Sequence, residues 1–184
     1  MKRTGRWVAL LLVFLVVAGA LAGCGEPKMT ADEHFQKGNE YASAGDFENA
    51  IVEYEAVLEL EPENVSAMTN LGVAYYNTGQ LDQAIIQYQN ALELAPDDAD
   101  IHSNLAAAYV QTNQLDKAQG EYQRAVELKA DLAEAWFGLG VVYIQLGQND
   151  KAIEAFEKFI EYDKGTDQIA TDQAQQYLEQ LKGQ

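Results

Sequence analysis

The chain has 184 residues, with 12 lysines and arginines against 29 aspartates and glutamates, and a formal net charge of −17. No basic residue lies between Lys37 and Lys117, a window that holds 14 acids. Phosphate backbones and anionic lipid are bound through basic clusters, so the balance argues against nucleic acid and against an electrostatic membrane patch. It favours basic partners or divalent ions, and otherwise only solubility.

The chain opens with Lys2, Arg3 and Arg6, followed by an apolar run from Trp7 to Ala22. This is the charged and apolar layout of a secretory leader. The run is shorter than the ~20 residues that a membrane-spanning helix needs. It ends in Leu21-Ala22-Gly23, and the next residue is the only cysteine, Cys24. A lone cysteine makes no internal disulfide. Leu21-Ala22-Gly23-Cys24 resembles the lipobox of bacterial lipoproteins. The resemblance implies that residues 1–23 are a cleaved signal peptide and that Cys24 carries a diacylglycerol. An ordinary signal peptide with a chance cysteine and an uncleaved signal anchor stay open as alternatives. A lipid-capped mature chain would keep 12 − 3 = 9 basic residues against 29 acids. Two or more acyl chains hold a protein stably on a bilayer, because each buried methylene contributes about 0.8 kcal/mol. The expected location is the bacterial cell envelope, anchored on the exported side. Gly25 stands where aspartate would signal inner-membrane retention in enteric bacteria, which leans to the outer membrane if the cell has one.

Residues 24–30 form a short polar tether containing Pro27, reaching at most ~20 Å. Thr30-Ala31-Asp32-Glu33 has the pattern of a capping box and opens a helix. From there the sequence repeats. Gly38, Gly72, Ala106 and Gly140 are evenly spaced, at a period of 34. The same period relates Tyr41, Tyr75, Tyr109 and Tyr143; Ala50, Ala84, Ala118 and Ala152; and Tyr54, Tyr88, Tyr122 and Phe156. Within one period, Ala67, Met68, Leu71, Ala74 and Tyr75 have helical spacing. Thr78-Gly79-Gln80 breaks the pattern. A second helix is predicted from Asp82 to Leu94 and stopped by Pro96, which has no N–H to continue the ladder.

Trp136-Phe137-Gly138-Leu139-Gly140-Val141-Val142-Tyr143 and Ala152…Phe156 are similar to the signature of the tetratricopeptide repeat. The resemblance covers the chain from Ala31 to Thr166. It implies an all-α fold, a right-handed α-solenoid with repeats at 31–64, 65–98, 99–132 and 133–166. His34, Met68 and His102 depart from the signature tryptophan, Ala106 from the glycine, and Ala130 and Lys164 from the terminal proline. A stack of such repeats needs a polar-backed end. Residues 167–184 supply it as a capping helix, with Ala170, Ala174, Tyr177, Leu178 and Leu181 on one face.

Nothing in the chain assembles a reaction centre. His34 and His102 occupy the same register two repeats apart, roughly 20 Å with neighbouring helices ~8–10 Å apart. Both stand where the family places a packing aromatic. Asp97, Asp98 and Asp100 lie at a helix junction, where acids favour the helix start. No phosphate-cradling glycine loop, nucleophile motif or cysteine–histidine pair is present. The expectation is a non-enzyme with no cofactor and no metal.

The resemblance places a concave recognition groove on the first helix of each repeat. Carried over position by position, its lining includes Phe35, Gln36, Asn39, Thr69, Asn70, Val73, Tyr76, Asn77, Asp100, Asn104, Gln111, Glu134, Phe137 and Gln145. Gln36, Asn70 and Asn104 form a carboxamide column, each offering a donor and an acceptor. They act either as a ladder gripping an extended peptide or as satisfaction for neighbouring backbone. Phe35, Tyr76 and Phe137 are expected apolar anchors, and Asp32, Asp100 and Glu134 favour a basic residue. Members that clamp the carboxylate tail of heat-shock chaperones need lysine and arginine in these columns, and none is present. The reading is a membrane-anchored scaffold that binds a neutral or basic protein or peptide as a monomer. Self-association through the groove or the cap helix is an alternative. The pairing of anchor and repeats also resembles pilotins of type IV pilus systems and adaptor lipoproteins of outer-membrane assembly, although pilotins carry more repeats.

Overall fold

The computed structural model describes residues 28–183. The leader and Cys24 lie outside the described residues. Nine helices are present among those described: α1 (Ala31–Ser43), α2 (Phe47–Leu60), α3 (Val65–Asn77), α4 (Leu81–Leu94), α5 (Ala99–Gln111), α6 (Leu115–Leu128), α7 (Ala133–Gln145), α8 (Asn149–Asp163) and α9 (Gln168–Lys182). Each helix packs on its neighbours in sequence, and the odd-numbered helices also meet along one side, α3 on α5 and α5 on α7. The result is a solenoid of four helix pairs closed by α9.

The recurring columns explain the packing. Ala50, Ala84, Ala118 and Ala152 are all fully buried, so the small side chain sets how closely the paired helices approach. At Gly38, Gly72 and Gly140 an added Cβ would stand 2.7, 2.6 and 2.8 Å from the rings of Tyr54, Tyr88 and Phe156. Glycine is required there because the aromatic ring of the second helix lies on the backbone of the first. The turn inside each pair needs a left-handed residue. Gly45, Gly79 and Gly147 supply it, and Asn113 takes φ 57° in the third repeat, a conformation asparagine tolerates.

At one register a side-chain hydrogen bond recurs between adjacent repeats. Tyr75 donates its hydroxyl to Glu55 at 2.6 Å. Gln89 and Gln123 donate to the hydroxyls of Tyr109 and Tyr143, both at 2.9 Å. At the last junction Lys182 of α9 reaches Glu157 at 2.7 Å, so the cap replaces a fifth repeat.

The cap is held by Asp163, 8 % exposed at the end of α8. Its carboxylate accepts from the backbone N–H of Gly165 and Asp167 and from the Thr171 hydroxyl. Asp167 in turn accepts from the Ala170 N–H and starts α9. The expected apolar face of the cap packs against the core, and Ala174 is fully buried. Gln168, Asp172, Gln175, Gln176 and Glu179 are exposed.

Candidate functional site: the face of the odd-numbered helices

The first helix of each repeat presents the predicted lining residues on one side, and two hydrogen bonds cross between helices there. Asn70 on α3 donates to Asn39 Oδ1 on α1 at 3.0 Å. Gln111 on α5 donates to the Tyr76 hydroxyl on α3 at 3.3 Å. Asn39 Oδ1 also accepts the Tyr54 hydroxyl at 2.7 Å. Burial pushes the Tyr54 phenol up, against the pull of Asn70. Asn39, Tyr54 and Asn70 edge a cavity of about 240 Å³ walled by Ala42, Ser43, Phe47, Val73 and Ala74. Small-molecule sites occupy ~300–1,000 Å³, so this one has room for a single side chain rather than a metabolite.

The carboxamide column divides. Asn70 is tied to Asn39, side chain to side chain rather than to backbone. Whichever way the two amides are turned, one N–H donor group and one carbonyl remain for a ligand. Gln36 is exposed, Asn104 is half-buried, and neither side chain is bonded among the described residues. Asn77 donates to the Val73 carbonyl of its own helix at 2.8 Å. Gln145 is exposed and Thr69 back-bonds to the Val65 carbonyl.

Two expected anchors are drawn inward. Phe35 is half-buried with its ring 5.9 Å from Tyr54. Phe137 packs edge-on against Phe156 and Phe159 at 5.7 and 5.2 Å. They form floor rather than protruding side chains. Of the three acids, Asp100 meets Lys129 at 3.3 Å, while Asp32 and Glu134 are exposed. The acidic trio is occupied: Asp98 caps α5 by accepting from Asp100 and Ile101, and Asp97 pairs with Arg124 at 2.6 Å.

The two histidines do stand in the packing column, with a partner that the column alone does not show. His102 places Nε2 3.0 Å from the Pro96 carbonyl, as Trp136 places its indole Nε1 2.8 Å from the Ala130 carbonyl one period later. The imidazole thus substitutes for the indole N–H. Its Nδ1 lies 2.6 Å from Glu121, and His34 Nδ1 lies 2.6 Å from Glu53. Lys37 also meets Glu53 at 2.6 Å. Burial works to raise the Glu53 carboxyl, but the bonds from Lys37 and His34 outweigh it and hold it below the usual range. The signal was present in the sequence: His34 is followed by Glu53 and His102 by Glu121 at one common spacing, and the other two repeats have no histidine.

One irregularity shapes the middle of the groove. Tyr54, Tyr88 and Phe156 lie on a glycine of their own repeat, but the third repeat has Ala106 there. Tyr122 lies over Gly138 of the next repeat, where an added Cβ would stand 2.3 Å from ring carbon Cζ and 2.5 Å from the hydroxyl. Gly138 is the fourth position of the carboxamide column. The Tyr122 hydroxyl stands where a fourth side chain of that column would begin.

Comparison with known proteins agrees with this architecture. Models of the TPR repeat match residues 38–79, 74–113 and 108–147, and a tetratricopeptide repeat model matches 133–166. The chain belongs to the tetratricopeptide repeat family. It is similar to a crystal structure of MamA, at 30 % identity over 78 % of this chain and 91 % of that one, with a TM-score of 0.67. It is similar to YrrB, described as a TPR protein with an unusual peptide-binding site, at 27 % identity over 73 % and 70 % of the two chains, TM-score 0.65. It also resembles the first TPR of Spaghetti (RPAP3) bound to the HSP90 peptide SRMEEVD, at 26 % identity over 68 % and 99 %, TM-score 0.63. No curated protein matches the chain.

Proposed function

We propose that this protein is a non-catalytic scaffold that binds an extended, neutral or basic segment of a partner along the odd-numbered helices, held at a bacterial membrane by lipid on Cys24. The observation that carries the binding face is the Asn39–Asn70 pair, which lines a cavity of about 240 Å³ and keeps one donor group and one acceptor beyond its own bond. A peptide group offers the complementary pair. The peptide-binding descriptions of YrrB and the RPAP3 domain support the class of ligand. The acidic sequence SRMEEVD of the latter is no guide to charge here, because no lysine or arginine stands in the lining columns. The leader and lipobox support the anchor.

Two experiments test the parts separately. Asn70→Ala with Asn104→Ala should remove the partners recovered with the parent protein, and an unchanged set would refute the face. Cys24→Ser should leave the membrane fraction, and retention equal to the parent would refute the anchor.

A further inference from the structure

The fourth repeat departs from the others at two neighbouring positions. Where Glu53 and Glu121 meet their histidines, and where the second repeat has Gln87, it has Ala155. One residue earlier, where the other repeats have Val52, Ile86 and Gly120, it has Glu154. Beside these two residues a cavity of about 390 Å³ opens between α6, α7 and α8. Its apolar wall is the half-buried Trp136 with the buried Val126, Leu139 and Ala155. Glu127, Lys151 and Glu154 are exposed at its edge. None of these residues belongs to the groove lining.

The edge sets two carboxylates against one ammonium. Lys151 donates to Gln148 at 2.8 Å and lies 5.5 Å from the centre of the Tyr143 ring. Lys117 does the same with Gln114 and Tyr109 one period earlier, so this cation serves the repeat itself. Glu154 makes no hydrogen bond or ion pair among the described residues, and its neighbour Lys158 pairs with Glu161. Glu127 has only a 3.5 Å contact with Arg124, which holds Asp97 at 2.6 Å. An anion here would meet both carboxylates, and an apolar group would strip water from them without replacing it. A cation is attracted by the carboxylates and by the face of an indole alike. Guanidinium is planar and weakly hydrated, stacks on aromatic faces and forks onto carboxylates. We propose that this cavity takes an arginine side chain of a protein partner, with the guanidinium over Trp136 and its N–H groups turned to Glu154 and Glu127. The exposed edge leaves the charges partly hydrated and so avoids the desolvation cost of a fully buried pair. The site stands apart from the groove, and the proposal does not depend on the groove reading.

Tryptophan fluorescence tests it. Trp7 is the only other tryptophan in the chain, so the full chain with Trp7→Phe, held in detergent, reports on Trp136 alone. The probes are N-acetyl-arginine amide and its citrulline counterpart, which has the same length and no charge. Arginine should change the emission saturably, and citrulline at the same concentrations should not. Glu154→Gln and Glu127→Gln alter exposed side chains and should each weaken arginine about threefold, the loss of one exposed ion pair. Circular dichroism checks that each variant keeps its helices. No saturable response to arginine, an equal response to citrulline, or unchanged affinity in both variants overturns the proposal. Partner capture from the odd-numbered helices tests the groove separately, so either reading can fall without the other.

Discussion

Gly138→Ala adds a methyl group at 2.3 Å from Tyr122 Cζ, 2.5 Å from its hydroxyl and 2.7 Å from Cε1. The ring has no open place to move to in its own repeat, because the fully buried Ala106 stands where the first two repeats have Gly38 and Gly72. Overpacking of this kind costs about 1–3 kcal/mol, partly offset by the ~0.5–1 kcal/mol that alanine gains over glycine in a helix. Ala106→Gly alone should cost about 1 kcal/mol through propensity. In the double variant the ring can lie on the freed position as Tyr88 lies on Gly72, and the two propensity terms cancel. The pair should then be within about 0.5 kcal/mol of the parent, a coupling of roughly 1–2 kcal/mol. Urea unfolding followed by helical circular dichroism gives all four corners of the cycle. Additive losses would show that positions 106 and 138 are independent and that Tyr122 does not couple them.

Other consequences follow from the same contacts. Asp163→Ala removes the acceptor for two backbone N–H groups and the Thr171 hydroxyl; it should cost about 2–3 kcal/mol, with faster hydrogen exchange concentrated in α9. His102→Trp alone should collide with Glu121, whereas His102→Trp with Glu121→Ala recreates the pair that the fourth repeat carries one period later, Trp136 and the buried Ala155, and should recover stability in thermal melts. Because the folded Glu53 carboxyl is held below its ordinary value, its contribution is present above the unfolded value and is lost as the pH falls; Glu53→Gln should flatten the acid limb of a stability–pH curve. Tyr75 and Tyr122 are pushed up to about 12, so the folded state holds their protons longer than the unfolded chain does. Stability should fall as pH rises from about 10 toward 12, and a phenolate absorbance titration should show a late phase reduced by Tyr122→Phe.

The solenoid was legible because its information is periodic: one residue type per column, repeated at 34, fixes both the close approach at Ala50, Ala84, Ala118 and Ala152 and the ring on glycine. Side-chain engagement was legible only where a column has one role. The tyrosine column from Tyr75 to Tyr143 bonds the preceding repeat each time. The lining columns are less uniform, since a lining residue can be captured by its neighbours. Asn77 turns to its own backbone, and Phe35 and Phe137 sink onto inner rings. Position alone does not show whether a side chain is free. The coupling expected through Tyr122 was hidden for another reason. It depends on two departures, Ala106 and Gly138, that fall in different columns of different repeats and are each harmless when read singly. Asp163 lies at the end of the last repeat, where the period supplies no template.

Site-specific photo-crosslinking in cells tests the central claim most directly. A photoreactive residue replacing Thr69 or Val110, on α3 and α5, should capture the partner. The same residue replacing Val52 or Ile86, 59 % and 51 % exposed on the second helices, should not. Capture from Val52 and Ile86 with none from Thr69 and Val110 would contradict recognition by the odd-numbered helices.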